Sequence, residues 1–304
     1  MNTLLDRLKE GLVLGAEGYL FELERRGYVK AGPFVPEVVL DDPGVVRQLH
    51  RDFLRAGAEV MVAFTYYAHR SKLGKIGRSG ELEQLNRTAV RLAAEVAREG
   101  GALVAGNLSN TWEYDPLRPE ESGSVVRSMF EEQVRWSAEE GVDFFIAETF
   151  SHLGEALIAL DTIKAAGLPA LVTFIPSGER SVDRYQWEEA CRILEDRGAD
   201  VVGLNCGSPA RPAPSPWPWI PLPIPVTRWP TSRGRRRRWA STTSAFAAEA
   251  LRTMSAPWPK PSSGNPRPAA TPPTCRCTRS SRTAPTAGTT SRRVKKHGTA
   301  GRNT

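Results

Sequence analysis

The 304 residues include only four cysteines and four histidines. Cys191, Cys206, Cys275 and Cys277 are too few and too scattered for a disulfide scaffold. His50, His69, His152 and His297 share no metal-ligand spacing, so each reads as structural or solvated. No apolar run approaches the length that crosses a bilayer. The start carries Asp6, Arg7, Lys9 and Glu10 where a signal peptide needs an unbroken apolar stretch, so a soluble cytoplasmic protein without membrane contact is expected. The first turn, Gly15-Ala16-Glu17-Gly18, lacks GxGxxG spacing and runs into Tyr19-Leu20-Phe21, which argues against a dinucleotide-binding start.

Acidic residues are missing from one region only. Residues 1–206 hold 23 Lys and Arg against 33 Asp and Glu, a net charge of −10, whereas residues 207–304 hold 18 against the single acid Glu249, a net of +17. The second region also takes 17 of the 24 prolines and five of the eight tryptophans, so the overall charge of +7 averages two unlike parts. We therefore expect a folded portion over 1–206 and an irregular basic tail over 207–304.

Within the first part, short apolar runs alternate with longer amphipathic ones. Strands are predicted at 12–15, 60–67, 102–108, 144–150, 170–175 and 201–206, and helices at 43–56, 81–99, 119–140, 152–166 and 182–197. Gly57, Gly100, Gly141, Gly167 and Gly198 stand where left-handed helix caps are expected. This alternation predicts an α/β fold with a parallel sheet and crossover helices. Six strand-helix units fit either an open doubly wound sheet or a (β/α)8 barrel that lacks two strands. Six barrel strands would leave two parallel edges open to water.

The last of these strands, Val201-Val202-Gly203-Leu204-Asn205-Cys206, ends on a thiol. In parallel α/β folds the ligand sits at the carboxyl ends of the strands, so Cys206 is a candidate site residue. The plainer reading is a small buried hydrophobe.

Several blocks carry a resemblance. Gly27-Tyr28-Val29-Lys30-Ala31-Gly32-Pro33, residues 47–57 (RQLHRDFLRAG), Ala102-Leu103-Val104-Ala105-Gly106, Val142-Asp143-Phe144 with Ile146-Ala147-Glu148, and Asn205-Cys206 closely resemble the betaine-homocysteine S-methyltransferase family. That resemblance implies a (β/α)8 barrel, homocysteine and a methyl donor as substrates, methionine as product, and a zinc ion held by three cysteine thiolates. It also implies a homo-oligomer, as is usual in the family. Cys206 matches the first zinc ligand. Zinc coordination deprotonates a thiol while leaving its sulfur reactive, which suits attack on the methyl group of an onium donor such as betaine or S-methylmethionine. Glu148 matches the glutamate that contacts the homocysteine ammonium, its plainer reading being a salt bridge. Phe34 and Tyr67 match aromatic positions facing the trimethylammonium, where ring faces attract a cation. Gly18 matches the glycine-rich first turn, with Glu17 as a displaced acid.

The chain also departs from that family. Ala16-Glu17-Gly18 replaces an Asp-Gly-Gly, Thr149 stands where a tyrosine follows the glutamate, and Phe34 replaces a tryptophan. A Gly-Gly-Cys-Cys after the last strand is absent, and Cys275-Arg276-Cys277 among Pro272, Pro273, Arg279 and Arg282 is a weak substitute. The tail has two readings. In one, the coding frame shifts soon after Cys206 in a GC-rich message, leaving a disabled enzyme. In the other, a barrel-derived scaffold carries a genuine tail that binds nucleic acid through Arg235-Arg236-Arg237-Arg238-Trp239. Only 241–254 has the pattern of a helix.

Overall fold

A computed structural model of the chain describes residues 3–29, 36–206 and, for the backbone only, 238–241. All of these belong to one unit, Met1–Trp258.

Six strands appear in chain order: β1 (Leu12–Gly15), β2 (Val60–Val62), β3 (Leu103–Ser109), β4 (Phe144–Phe150), β5 (Ala170–Phe174) and β6 (Val201–Leu204). Each pairs in parallel with the next, so the sheet is built in simple succession from β1 to β6. Strands β2 to β5 are buried along nearly their whole length, as a parallel sheet covered on both faces requires. Helices fill the connections: α1 (Leu4–Glu10) precedes β1, and α2 (Tyr19–Arg25), α3 (Val38–Asp41) and α4 (Pro43–Arg55) link β1 to β2. Next come α5 (Arg70–Lys75), α6 (Leu82–Gly100), α7 (Pro119–Glu139), α8 (Leu153–Ala165) and α9 (Trp187–Arg197). The longer helices bury one face against the sheet, for example Leu85, Ala89, Leu92 and Val96 of α6. Phe144, Phe145, Phe150 and Phe174 fill the centre of the core.

A seventh strand, β7 (Arg238–Ser241), pairs in parallel with β1 on the side opposite β2, Leu12 aligning with Arg238 and Gly15 with Ser241. The sequence pattern contains no strand there. One of the two edges expected to be open is therefore covered, and β6 remains at the other margin, half-buried along its length. Apart from Ser241, the 241–254 helix expectation lies outside the described residues.

The amino ends of the strands are tied together by acids that immediately precede alternate strands. The Glu59 carboxylate accepts from the Leu14 amide at 3.3 Å, Asp143 from Val104 at 2.7 Å, and Asp200 from Ala170 at 2.9 Å. Each acid sits before β2, β4 or β6 and satisfies the strand before it, a charge-assisted bond at a backbone donor.

Two expectations are corrected in detail. Gly101, not Gly100, takes the left-handed cap of α6 at φ 66°. Gly100 lies inside the helix, where a Cβ would come within 2.6 Å of the Leu54 side chain. β2 stops at Val62 rather than running to residue 67, because the Thr65 amide turns back to the Ala63 carbonyl at 2.7 Å and Tyr67 adopts φ 59°.

Candidate active site

The carboxyl ends of the strands carry five non-glycine residues with positive φ: Tyr67 after β2, Trp112 after β3, Thr149 within β4, Arg184 after β5 and Cys206 after β6. Bulky and β-branched residues adopt this conformation only at a cost, so its repetition around one rim marks that rim as the working face.

The strain is most informative at β4. Register with β5 shifts between Ala147 and Phe150, a bulge that holds Glu148 and Thr149, with Thr149 at φ 67°. The bulge aims the Glu148 carboxylate between two amides. Asn107 on β3 donates Nδ2 to Oε1 at 2.6 Å, and Asn205, just beyond β6, donates Nδ2 to Oε2 at 3.0 Å. Asn205 also accepts from the Thr149 amide at 3.1 Å and the Thr173 hydroxyl at 3.0 Å, which joins the ends of β4, β5 and β6. Asn107 has a second group, Oδ1, that is buried without a partner among the described residues.

Burial raises Glu148 to about 8, the Glu17 charge adds to this, and the bonds from Asn107 and Thr149 oppose it. At neutral pH Glu148 is thus largely protonated, and a neighbouring cation would favour its ionised form. No salt bridge to Glu148 occurs among the described residues, so the plainer reading of this residue is not what the structure presents.

Cys206 is exposed at φ 52°, two residues past the end of β6 rather than within the strand. It is no buried hydrophobe. Protein around the sulfur, then the Glu148 and Glu17 carboxylates, push its thiol up to about 12, and it receives a weak bond from Asn205 Nδ2 at 3.5 Å. Gly18 sits at φ 83° as the N-cap of α2, a conformation that favours glycine. Glu17, Glu148 and Cys206 are therefore brought within electrostatic reach of one another.

Tyr67 lies on the same rim, 7% exposed, with its amide donating to the Ser109 hydroxyl at 3.0 Å. Its neighbour Tyr66, which sequence reasoning passed over, is the ring closer to the carboxylate. Burial raises the Tyr66 phenol, the Glu148 charge adds to this, and a bond from Thr149 opposes it. Asn107 and Trp112 were also missed, since a single amide or indole at a strand end has no spacing signal. Phe34, Cys275, Cys277, His297 and residues 235–237 of the arginine run lie outside the described residues, as do the side chains of Arg238 and Trp239. His50 is buried against the Tyr19 hydroxyl at 2.9 Å and lowered to about 3 by desolvation, away from this chemistry.

Fold and site together define a (β/α)-barrel-type protein whose chemistry gathers around a clamped carboxylate at the strand carboxyl ends. A model of the homocysteine S-methyltransferase family matches residues 16–250, and the chain belongs to that family. Betaine–homocysteine S-methyltransferase 1 from Bos taurus is 41% identical over 210 residues, covering 67% of this chain and 50% of the relative. The Xenopus laevis protein of that name is 43% identical over 210 residues, with 67% and 51% covered. For the Sus scrofa protein the values are 41% over 210 residues, with 67% and 74% covered. The chain thus spans about half the length of the first of these relatives. Among solved structures, the metallated homocysteine methyltransferase MmuM from Escherichia coli shares the fold, with TM-score 0.55, 21% identity and coverage of 64% of this chain and 74% of that one.

Proposed function

We propose that the chain is a homocysteine S-methyltransferase by descent, with residues 1–206 as its substrate-binding barrel portion and residues 207–304 as a tail that does not complete the site. Homocysteine would be the acceptor, betaine or a related onium such as S-methylmethionine the donor, and methionine the product. The observation that carries this reading is Glu148, a carboxylate set on a bulge, held by two amides, one of which also reaches the Cys206 sulfur, within a chain of this family.

Glu148 supplies the charge for the substrate ammonium. An arriving cation favours the ionised acid, so binding near neutral pH releases its proton and forms a charge-assisted hydrogen bond. Asn107 and Asn205 fix the carboxylate so that the substrate pays little ordering entropy. The reaction itself joins the homocysteine sulfur to the donor methyl carbon while the bond from that carbon to nitrogen or sulfur breaks, its electron pair leaving with the neutral amine or thioether. Tyr66 and Tyr67 beside the carboxylate suit an onium, whose charge they attract without hydrogen bonds.

Zinc, which the family implies, would take three protein ligands and would deprotonate the substrate thiol. The described residues do not fit it: no three His, Cys, Asp or Glu side chains among them are grouped to hold a metal. Turnover is therefore expected to be severely reduced.

The test is methionine formation from homocysteine with labelled betaine or S-methylmethionine, run beside metal analysis of the purified full chain. Slow transfer that Glu148→Gln abolishes, with well under one zinc per chain, is expected. One tightly held zinc per molecule and a fast rate would overturn the impairment, and no transfer from any onium would overturn the activity.

A further inference from the structure

The rim between β2 and β3 carries a second arrangement around Lys72. Its Nζ lies 4.2 Å from the centre of the Tyr67 ring and 5.8 Å from that of Trp112. Among the described residues no hydrogen bond or ion pair from the Lys72 ammonium is present, and the charge that acts on it is another cation, Lys75. Two aromatic rings are therefore the main stabilising environment of a partly desolvated ammonium.

Those rings are held in place by unusual means. Tyr67 and Trp112 both take left-handed backbone, at φ 59° and 64°, and the Trp112 indole N–H donates to the Tyr67 hydroxyl at 3.0 Å. Trp112 is 65% exposed, so no core packing repays its strain. The residue before it is anchored from below. Buried Glu155 on α8 accepts from the Thr111 amide at 2.7 Å and from its hydroxyl at 2.5 Å. A buried acid, two strained residues and an interring bond hold an exposed tryptophan beside a tyrosine and leave their faces to a cation.

We propose that Trp112 and Lys72 are further determinants at the onium position the resemblance assigns to Tyr67: Trp112 supplies a second ring, and the Lys72 ammonium over both rings is a built-in competitor which a quaternary ammonium or sulfonium must displace. This rests on the reading of the protein as an onium-dependent methyltransferase and adds Trp112 and Lys72 as determinants of donor affinity. A side chain that fills its own site reduces apparent affinity by the fraction of time the site is vacant. Lys72 enters from the first turn of the six-residue α5 on a flexible four-carbon stem, so its withdrawal to solvent needs no backbone movement.

Tetramethylammonium is the probe, titrated calorimetrically into the full chain, with tert-butanol as an uncharged ligand of similar shape. Lys72→Met keeps the apolar stem and removes the competitor; about tenfold tighter tetramethylammonium binding is expected if Lys72 occupies the site about nine-tenths of the time. Lys75→Met removes the same charge one turn along the helix and should change binding less than about twofold. Trp112→Ala should weaken binding several-fold with an unchanged circular dichroism spectrum, and tert-butanol should not bind measurably to any form. Equal gains from Lys72→Met and Lys75→Met, no gain from Lys72→Met, or tert-butanol binding as well as the cation would overturn the proposal. The two readings separate cleanly. Tighter tetramethylammonium binding without transfer from any onium keeps the site and removes the reaction. Transfer with a donor KM insensitive to Lys72→Met and Trp112→Ala keeps the reaction and removes the site.

Discussion

Replacing Glu148 by glutamine should stabilise the protein in alkaline solution and leave it unchanged in acid. In the unfolded chain this carboxyl loses its proton near 4.5, whereas in the fold it keeps the proton until about 8. Between those values the folded state binds more protons, so the Glu148 contribution to stability falls as pH rises through the window and stays low above it. Each pH unit of the shift corresponds to about 1.4 kcal/mol, which bounds the penalty at ~5 kcal/mol. Local relaxation and water entry reduce that bound, and about 2 kcal/mol or more at pH 9 is expected. Glutamine does not titrate, and it resembles the protonated acid closely. Each offers one acceptor oxygen, to the Asn205 Nδ2, and one donor group, which the Asn107 amide accepts by turning over to present the Oδ1 that has no partner among the described residues. The two proteins should therefore match near pH 5 and diverge steadily toward pH 9. Urea unfolding of both full chains at pH 5, 7 and 9 reads the difference, and the titration of groups outside the site cancels in the comparison. A difference that stays flat with pH to within about 0.5 kcal/mol, or a variant less stable at pH 9, would refute the account of Glu148 as a buried, raised acid.

Asn205→Ala removes the link between the ends of β4, β5 and β6 and leaves the Thr149 amide without its acceptor; a loss of about 2 kcal/mol in unfolding free energy and weaker homocysteine binding should follow. Gly106→Ala should cost about 1 to 3 kcal/mol, because its Cβ would meet the Phe145 ring at 2.5 Å in a core without room; an unchanged Tm would contradict the packing. Asp143→Asn weakens the charge-assisted bond to the Val104 amide, and a drop of about 1 kcal/mol in unfolding free energy should follow; unchanged stability would contradict that tie between strands. Homocysteine binding measured calorimetrically in two buffers of different ionisation enthalpy should show release of a proton at pH 7, and Glu148→Gln should abolish that release.

The local pattern alone carried the alternation of β1 to β6 with helices, because parallel strands buried on both faces are continuous apolar runs and amphipathic helices repeat every turn. The bounds of β1 and β4 coincide with the expected ones, and the ends of β2 and β6 do not. Strand ends at the rim are set by turns and left-handed residues such as Tyr67 and Cys206, which no apolar count detects. The acids Glu59, Asp143 and Asp200 carried a readable signal, each directly before an apolar strand, but their partners lie on a neighbouring strand and emerge only with the sheet.

By itself the sequence determined the succession of strands and helices and the division between an acidic apolar-patterned region and a basic proline-rich one, while the family resemblance singled out Glu148 and Cys206. The succession and the division follow from residue type, period and spacing, all local properties of the chain. Only the tertiary structure decided what surrounds them. The bulge at Thr149, the amides of Asn107 and Asn205 on the carboxylate, the raised Glu148 and Cys206, the pairing of β7 with β1 and the Lys72 ammonium over Tyr67 all join residues distant in sequence. Charge, burial and hydrogen-bond partnership belong to the space between elements, and that space exists only once the chain has folded.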